Sequence, residues 1–339
     1  MKLIRTEDAA GQVLCHDITR IIRGVTKDAA FRKGHIITEE DIPVLKSLGK
    51  DHVYIWENDE TKLHENEAAQ ILNEICKNEH MHSSEPKEGK IELTAEIDGL
   101  LKIDSGRLKK INSLGEMMIA TRHGNLPVHA GDKLAGFRII PLVIEKEKME
   151  KAREAAGKEP LLALKPFRHK RVGIVTTGNE VFYGRIEDTF TPVILEKLQE
   201  YDTEICGHEI SGDDPEQILG CIRKLLLGGA DFIICTGGMS VDPDDRTPAA
   251  IRSACGSVVS YGAPVLPGAM FLLSYYQDRI PVVGLPGCVM YAKRPIFDLV
   301  LPRIMADDRI TKDELDSLGE GGLCLNCETC TWPNCGFGK

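Results

Sequence analysis

An apolar run, Asp231-Phe-Ile-Ile-Cys235, opens directly into Thr236-Gly-Gly-Met-Ser-Val-Asp-Pro-Asp-Asp-Arg-Thr-Pro248. The run is short, β-rich and unalternating, which predicts a buried strand of a parallel sheet. The paired glycines Gly237 and Gly238 let the chain turn sharply and let its backbone approach a ligand closely. Ser240 adds a hydroxyl, and Asp242, Asp244 and Asp245 crowd carboxylates just past the strand's carboxyl end. Open α/β sheets place their ligands at that edge. Thr247-Pro248 reads as an N-cap with proline at the first helical position, opening a helix over 249–254.

The surrounding pattern predicts an α/β fold with a doubly wound, mainly parallel sheet in the C-terminal half, preceded by smaller α+β modules. Strands are expected at 172–177, 203–210, 231–235 and 280–284, with extended segments at 257–261 and 270–276. Helices are expected at 191–200, at 215–227 behind an Asp214 cap and Pro215, and at 289–305. Three strand-end turns then converge on one edge: Thr176-Thr-Gly-Asn-Glu180, Thr236–Ser240 and Leu285-Pro-Gly-Cys288. Such turns expose backbone amides, and helices starting beyond them add partial positive charge, a suitable site for a phosphate.

Thr-Gly-Gly followed by Asp245-x-Thr247-Pro248-x-Ala250 is similar to the loop of molybdopterin adenylyltransferases. Its Gly-Gly-Met-Ser-Val variant resembles that of molybdopterin molybdenumtransferases. Val172-Gly-Ile-Val-Thr-Thr-Gly-Asn-Glu180 and Val282-Val-Gly-Leu-Pro-Gly287 resemble two further motifs of the molybdopterin-binding fold, in the same order along the chain. The resemblance implies that Thr176, Thr177, Gly178, Asn179, Gly237, Gly238, Ser240, Asp242, Pro286 and Gly287 contact molybdopterin or adenylylated molybdopterin. It implies Asp245 as the first Mg²⁺ ligand, with Asp242 and Glu180 second and Asp188 added after them, and Asp245, Asp188 and Glu180 as the catalytic carboxylates. It also implies a homo-oligomer. Two departures weaken turnover: Asn179 stands where the family has Asp, and Cys288-Val289 replaces Asn-Pro. Cys288 could be an activated thiol at a helix start or a buried, inert one.

Composition divides the chain into a small α+β module (1–56), an acidic helix and linker (57–90), an α+β middle region with a charged helix at 145–156 (91–170), the pterin-type domain (171–306) and a tail (307–339). In the first module Thr38 is expected to cap a helix over 39–48. Lys+Arg 42 against Asp+Glu 52 leaves a formal charge of −10, which argues against general nucleic-acid binding. No apolar run approaches the ~20 residues of a membrane span, and the start lacks a signal peptide's apolar stretch, so a cytoplasmic location is expected.

The tail carries Cys324-x-x-Cys327-x-x-Cys330 and Cys335. Its spacing is close to that of bacterial ferredoxin clusters, with a longer last gap and a displaced proline, so a 4Fe-4S cluster is expected slightly ahead of Zn²⁺. The flanking glycines predict a mobile appendage. His208 is expected to be structural. The functional expectation is a molybdopterin-binding protein of molybdenum cofactor biosynthesis. The competing expectation is a non-catalytic carrier or regulator that delivers finished cofactor to a molybdoenzyme. Reuse of the fold on another substrate is a third.

Overall fold

The computed structural model describes residues 2–22, 26–55, 59–240 and 246–339. The chain divides into two compact units, one of residues 1–94, 104–122 and 133–162, the other of residues 95–103, 123–132 and 163–339. Among the described residues no helix is long and apolar enough to cross a membrane.

The first unit begins with Lys2–Arg5 paired antiparallel to His52–Ile55, and a hairpin of Ile18–Ile22 with Thr26–Phe31. Helix Asp41–Ser47 buries Leu45 in a small core with Leu14, Ile37 and Val53. That helix starts later than expected, because the Thr38 hydroxyl donates to the Asp41 carboxylate (2.9 Å) instead of accepting a helical N–H. The acidic helix is Glu65–Cys76, closed by a capping box between His64 and Glu67. It buries Ala68, Ala69, Ile71 and Leu72. The segment 81–90 is not a free linker. Met81–Ser83 and Lys90–Ala95 are neighbouring strands of a four-stranded sheet with Lys133–Ile139 and Met117–Thr121. Met81 is 2% exposed, so one inward apolar residue anchors a stretch whose composition reads as loop.

The second unit is built on a six-stranded sheet. Its strands are β1 (Lys170–Thr177), β2 (Thr203–Ser211), β3 (Phe232–Thr236), β4 (Val258–Tyr261), β5 (Leu272–Tyr276) and β6 (Ile280–Leu285), in the order β2-β1-β3-β6-β5-β4. The pairs β1–β2, β1–β3 and β3–β6 are parallel, whereas β5 and β4 close one edge antiparallel. This is the expected mainly parallel α/β sheet.

Among the described residues it is covered by helices α1 (Phe190–Leu198), α2 (Pro215–Leu227), α3 (Thr247–Cys255) and α4 (Ile296–Met305). Successive strand residues point to opposite faces. Val172 and Ile174 of β1, with Phe232 and Ile234 of β3, pack among α1 and α4. Val175 and Ile233 pack with Ile218 and Ile222 of α2 and Ile251 of α3. Gly173 makes the second packing possible, since a Cβ there would lie 2.8 Å from the Ile233 side chain and 3.1 Å from Leu225. Asp214 caps α2 as expected, accepting from the Glu216 N–H (3.0 Å). The closing helix is shorter than expected. A 3-10 turn, Gly287–Met290, comes first, and Pro295 holds its neighbour out of helical geometry until α4 begins.

Beyond α4 the chain is tied by a buried charge cluster. Asp308 accepts from Lys102 (2.8 Å), Lys165 (2.7 Å) and Arg303 (2.7 Å). Burial alone would raise its carboxyl, but the bonds from Lys102 and Lys165 and the charge of Arg303 outweigh that and hold it down to about 2. The folded value lies below the unfolded one, near 3.9, so the stabilisation is present above pH ~4 and is lost as pH falls towards 2. Asp308→Asn should destabilise the domain by about 2–4 kcal/mol at neutral pH, because it removes the carboxylate shared by Lys102, Lys165 and Arg303 and leaves Glu314 as the carboxylate partner of Arg303. It should also flatten the acid limb of the stability curve, as measured by urea unfolding at a series of pH values.

Candidate functional site

The register brings the three expected turns together. Thr176 of β1 is paired with Thr236 of β3, and Thr236 with Leu285 of β6. Thr177, Gly237 and Pro286 therefore leave the sheet side by side at its carboxyl edge. Pro286 is buried, Gly287 and Ser240 are exposed, and the Leu-Pro-Gly turn runs straight into the 3-10 turn.

The first two turns interlock. Gly237 has φ +84, and a Cβ on it would sit on the Thr177 carbonyl oxygen. Gly238 has φ +54, and its Cβ would lie 2.8 Å from the Thr247 hydroxyl. Thr177 donates its hydroxyl to the Thr236 carbonyl (3.1 Å), which leaves the Thr247 hydroxyl to donate back to Thr177 (2.9 Å). Thr247 is consequently not an N-cap: it is the first residue of α3, Arg246 occupies the cap position, and its hydroxyl serves the turn instead. Tyr261 donates to the Met239 carbonyl (3.2 Å) and so ties the Gly-Gly-Met-Ser loop to β4. The Thr236 hydroxyl is buried with no hydrogen-bond partner among the described residues.

Gly178 (φ +136) donates its N–H to the Ser211 carbonyl (3.1 Å), and the four-residue helical turn Asn179–Phe182 follows. Asn179 receives the Asp213 N–H on its side-chain oxygen (3.4 Å) and donates its own N–H to the Asp213 carboxylate (3.0 Å). Glu180 is exposed just beyond.

Asp188 is engaged at every turn. It accepts from the hydroxyls of Thr176 (2.9 Å) and Thr191 (2.5 Å) and from the N–H groups of Phe190 (2.8 Å) and Thr191 (3.1 Å). Burial would raise its carboxyl, but these bonds prevail and hold it below the usual range. Because Thr176 spends its proton on Asp188, the His208 Nε2–H is the donor to Thr176 (2.9 Å). Thr191, His208 and Tyr261 thus support the edge although no motif spacing marked them. Each comes from a different element, so only the folded sheet brings them in. Burial pushes the Cys288 thiol up, which makes it the inert alternative at neutral pH.

Asp242 and Asp245, together with Asp244, lie outside the described residues. Among the described residues no three His, Cys, Asp or Glu side chains are grouped as ligands of one metal ion. That holds for Glu180 and Asp188 at the sheet edge and for the four tail cysteines.

The tail is docked rather than mobile. Leu266 and Leu323 form a parallel bridge, the Cys324 N–H donates to the Leu266 carbonyl (2.8 Å), and Phe337 is 4% exposed within the core beside α4. The glycines that predict mobility serve close approach: a Cβ on Gly322 would meet the carbonyls of Leu318 and Pro264, and one on Gly338 the Leu299 side chain.

Two alanine substitutions separate backbone demand from ligand demand. Gly237→Ala should cost more than about 2 kcal/mol of stability, through both positive φ and overlap. A Cβ on Gly287 would meet nothing within 4 Å, so Gly287→Ala should stay within about 0.5 kcal/mol of wild type in chemical denaturation.

Residues 173–306 match the family model described as a probable molybdopterin binding domain, and residues 3–57 match one described as a domain of unknown function (DUF8806). A CinA-like protein of Mycobacterium sp. (strain MCS) is 40% identical over 86 residues, 25% of this chain and 20% of that protein. A CinA-like protein of Mycolicibacterium gilvum (strain PYR-GCK) is 37% identical over 124 residues, 37% of this chain and 29% of that protein. The match thus spans less than a third of the length of these curated relatives. Among solved structures, the molybdopterin biosynthesis enzyme MoaB of Thermus thermophilus is 24% identical, covers 41% of this chain and 96% of that one, and has a TM-score of 0.36. Residues 173–306 belong to the molybdopterin-binding domain family.

Proposed function

We propose that the domain over 171–306 binds the terminal phosphate of molybdopterin, or of its adenylylated form, as a step in molybdenum cofactor biosynthesis. The observation that carries this reading is the convergence of three turns at one carboxyl edge, set by the pairing of Thr176 with Thr236 and of Thr236 with Leu285. Exposed amides at the Gly237, Gly238 and Gly287 turns would face the phosphate. The Thr236 hydroxyl, unpartnered among the described residues, and the exposed Ser240 are further donors at the same edge. In this reading Asp188 holds Thr176 and His208 in place and does not itself touch the ligand.

Asp245 is the proposed Mg²⁺ ligand, with Asp242 and Glu180 behind it. Magnesium takes one or two carboxylates and completes its shell with phosphate oxygens and water, so three grouped protein ligands are not required. Bound there, it would neutralise phosphate charge while the turns orient the pterin. We also propose a cytoplasmic homo-oligomer.

A second reading, a carrier that delivers finished cofactor to a molybdoenzyme, is favoured by Asn179. The side-chain oxygen of Asn179 already accepts a backbone N–H, and the residue carries no charge for a metal or a general base.

Titration with molybdopterin and with adenylylated molybdopterin, followed by pterin fluorescence, tests the binding. Saturation is expected with at least one of them, and Gly287→Ala should weaken it about tenfold, ~1.4 kcal/mol, without loss of stability. A folded protein that binds neither would end the proposal. If the domain turns over, Asp245→Asn should slow molybdate-dependent AMP release roughly a hundredfold or more. Tight binding with no AMP release from the wild type would select the carrier.

A further inference from the structure

The docked tail encloses a cavity of about 200 Å³ next to Lys293 and Arg294, and all four tail cysteines line it. None of the four is in a disulfide. We propose that Cys324, Cys327, Cys330 and Cys335 hold a 4Fe-4S cluster in this cavity, seated against the pterin-type domain. This inference stands apart from the phosphate site and does not depend on it.

Volume favours a cluster over a single ion. Zinc held by four thiolates at about 2.3 Å draws all four sulfurs onto one point, within about 4 Å of one another. A cubane instead takes each thiolate on its own iron, so the sulfurs stand apart around a body that fills a cavity. All four cysteines line one open volume of about 200 Å³, room for a cluster body that a single ion would leave unfilled.

Charge and hydrogen bonding agree with it. Four thiolates on an oxidised cubane leave a net charge of about −2, which Lys293 at the cavity wall partly offsets, while Arg294 is already paired with Asp298 and Glu200. Lys293 also fixes the cysteine loop, donating to the carbonyls of Cys327 (3.3 Å) and Glu328 (2.7 Å). Arg294 stacks 4.7 Å from the Trp332 ring centroid. The indole N–H of Trp332, another lining residue, is buried with no hydrogen-bond partner among the described residues. Cluster sulfides accept such donors, and a stranded indole N–H is otherwise a cost. Cys330 and Trp332 also line a neighbouring cleft of about 400 Å³ that reaches Val289 and Met290, just past the Leu285-Pro286-Gly287 turn.

The test uses the full chain, treated under anaerobic conditions with ferrous iron and sulfide, and in parallel with zinc alone. About four irons and four sulfides per chain are expected, with the broad visible absorption of a cubane and a paramagnetic signal on reduction with dithionite. Cys330→Ser should drop iron to under about one per chain with its melting temperature little changed, whereas Cys221→Ser should retain the full load. Trp332→Phe should keep the cluster but lower its reduction potential, because a hydrogen bond to sulfide is lost. One tightly held zinc per chain with no iron–sulfide uptake would overturn the proposal. So would a cluster that survives Cys330→Ser unchanged, or no metal uptake by folded protein.

Discussion

The close approach of two backbones at the end of the sheet governs the C-terminal unit. The turn after β3 passes so near the end of β1 that neither Gly237 nor Gly238 has room for a side chain. The gap is closed by two threonine hydroxyls, Thr177 and Thr247, which link β1, β3 and the start of α3 in one buried chain of bonds. A buried polar chain of this kind holds only when every member is satisfied, and then it specifies a single geometry. The backbone of the turns after β1 and β3 inherits its position from it. Strain and polarity at this edge are therefore structural requirements first, and a ligand can use them afterwards.

Two charge arrangements extend that rigidity outward. Asp188 draws the loop before α1 onto Thr176, gathering hydroxyl and backbone donors so that burial does not neutralise it. Asp308 does the same for the chain beyond α4 with three cations. In both places a carboxylate binds segments distant in sequence, and in both the compensating donors keep it ionised. The acid at 188, which family likeness places among catalytic groups, is thereby already engaged by two hydroxyls and two backbone N–H groups.

The tail continues the fold in a different material. Phe337 and the Leu266–Leu323 bridge anchor it by apolar contact, while Lys293 and Arg294 reach out from the segment before α4 to hold the cysteine loop and Trp332. The segment that leaves the Leu-Pro-Gly turn thus connects the sheet edge to the cysteine cavity through fewer than a dozen residues of chain.

Much of this was legible in the sequence because it is encoded locally. Unalternating runs such as 231–235 mark buried parallel strands, Asp214-Pro215 marks a helix start, and the glycine pairs mark turns; each needs only a few adjacent residues. The tail's cysteine spacing is equally local. Other features depended on residues far apart in the chain. Thr247 looks like a cap, but Thr177 sits opposite and takes its hydroxyl. The glycines of the tail look like hinges, but neighbouring carbonyls from 264 and 318 make them spacers. The strand at 81–83 looks like linker, because its pairing partner supplies the order that its composition lacks. Sequence determined the elements, the order of the motifs and the chemistry of the edge, since those follow from short-range propensity and periodicity. Tertiary structure alone decided which hydroxyls were free, which carboxylates were already engaged and whether the tail was held, because hydrogen bonds and steric contacts are settled by distance in space and not by distance along the chain.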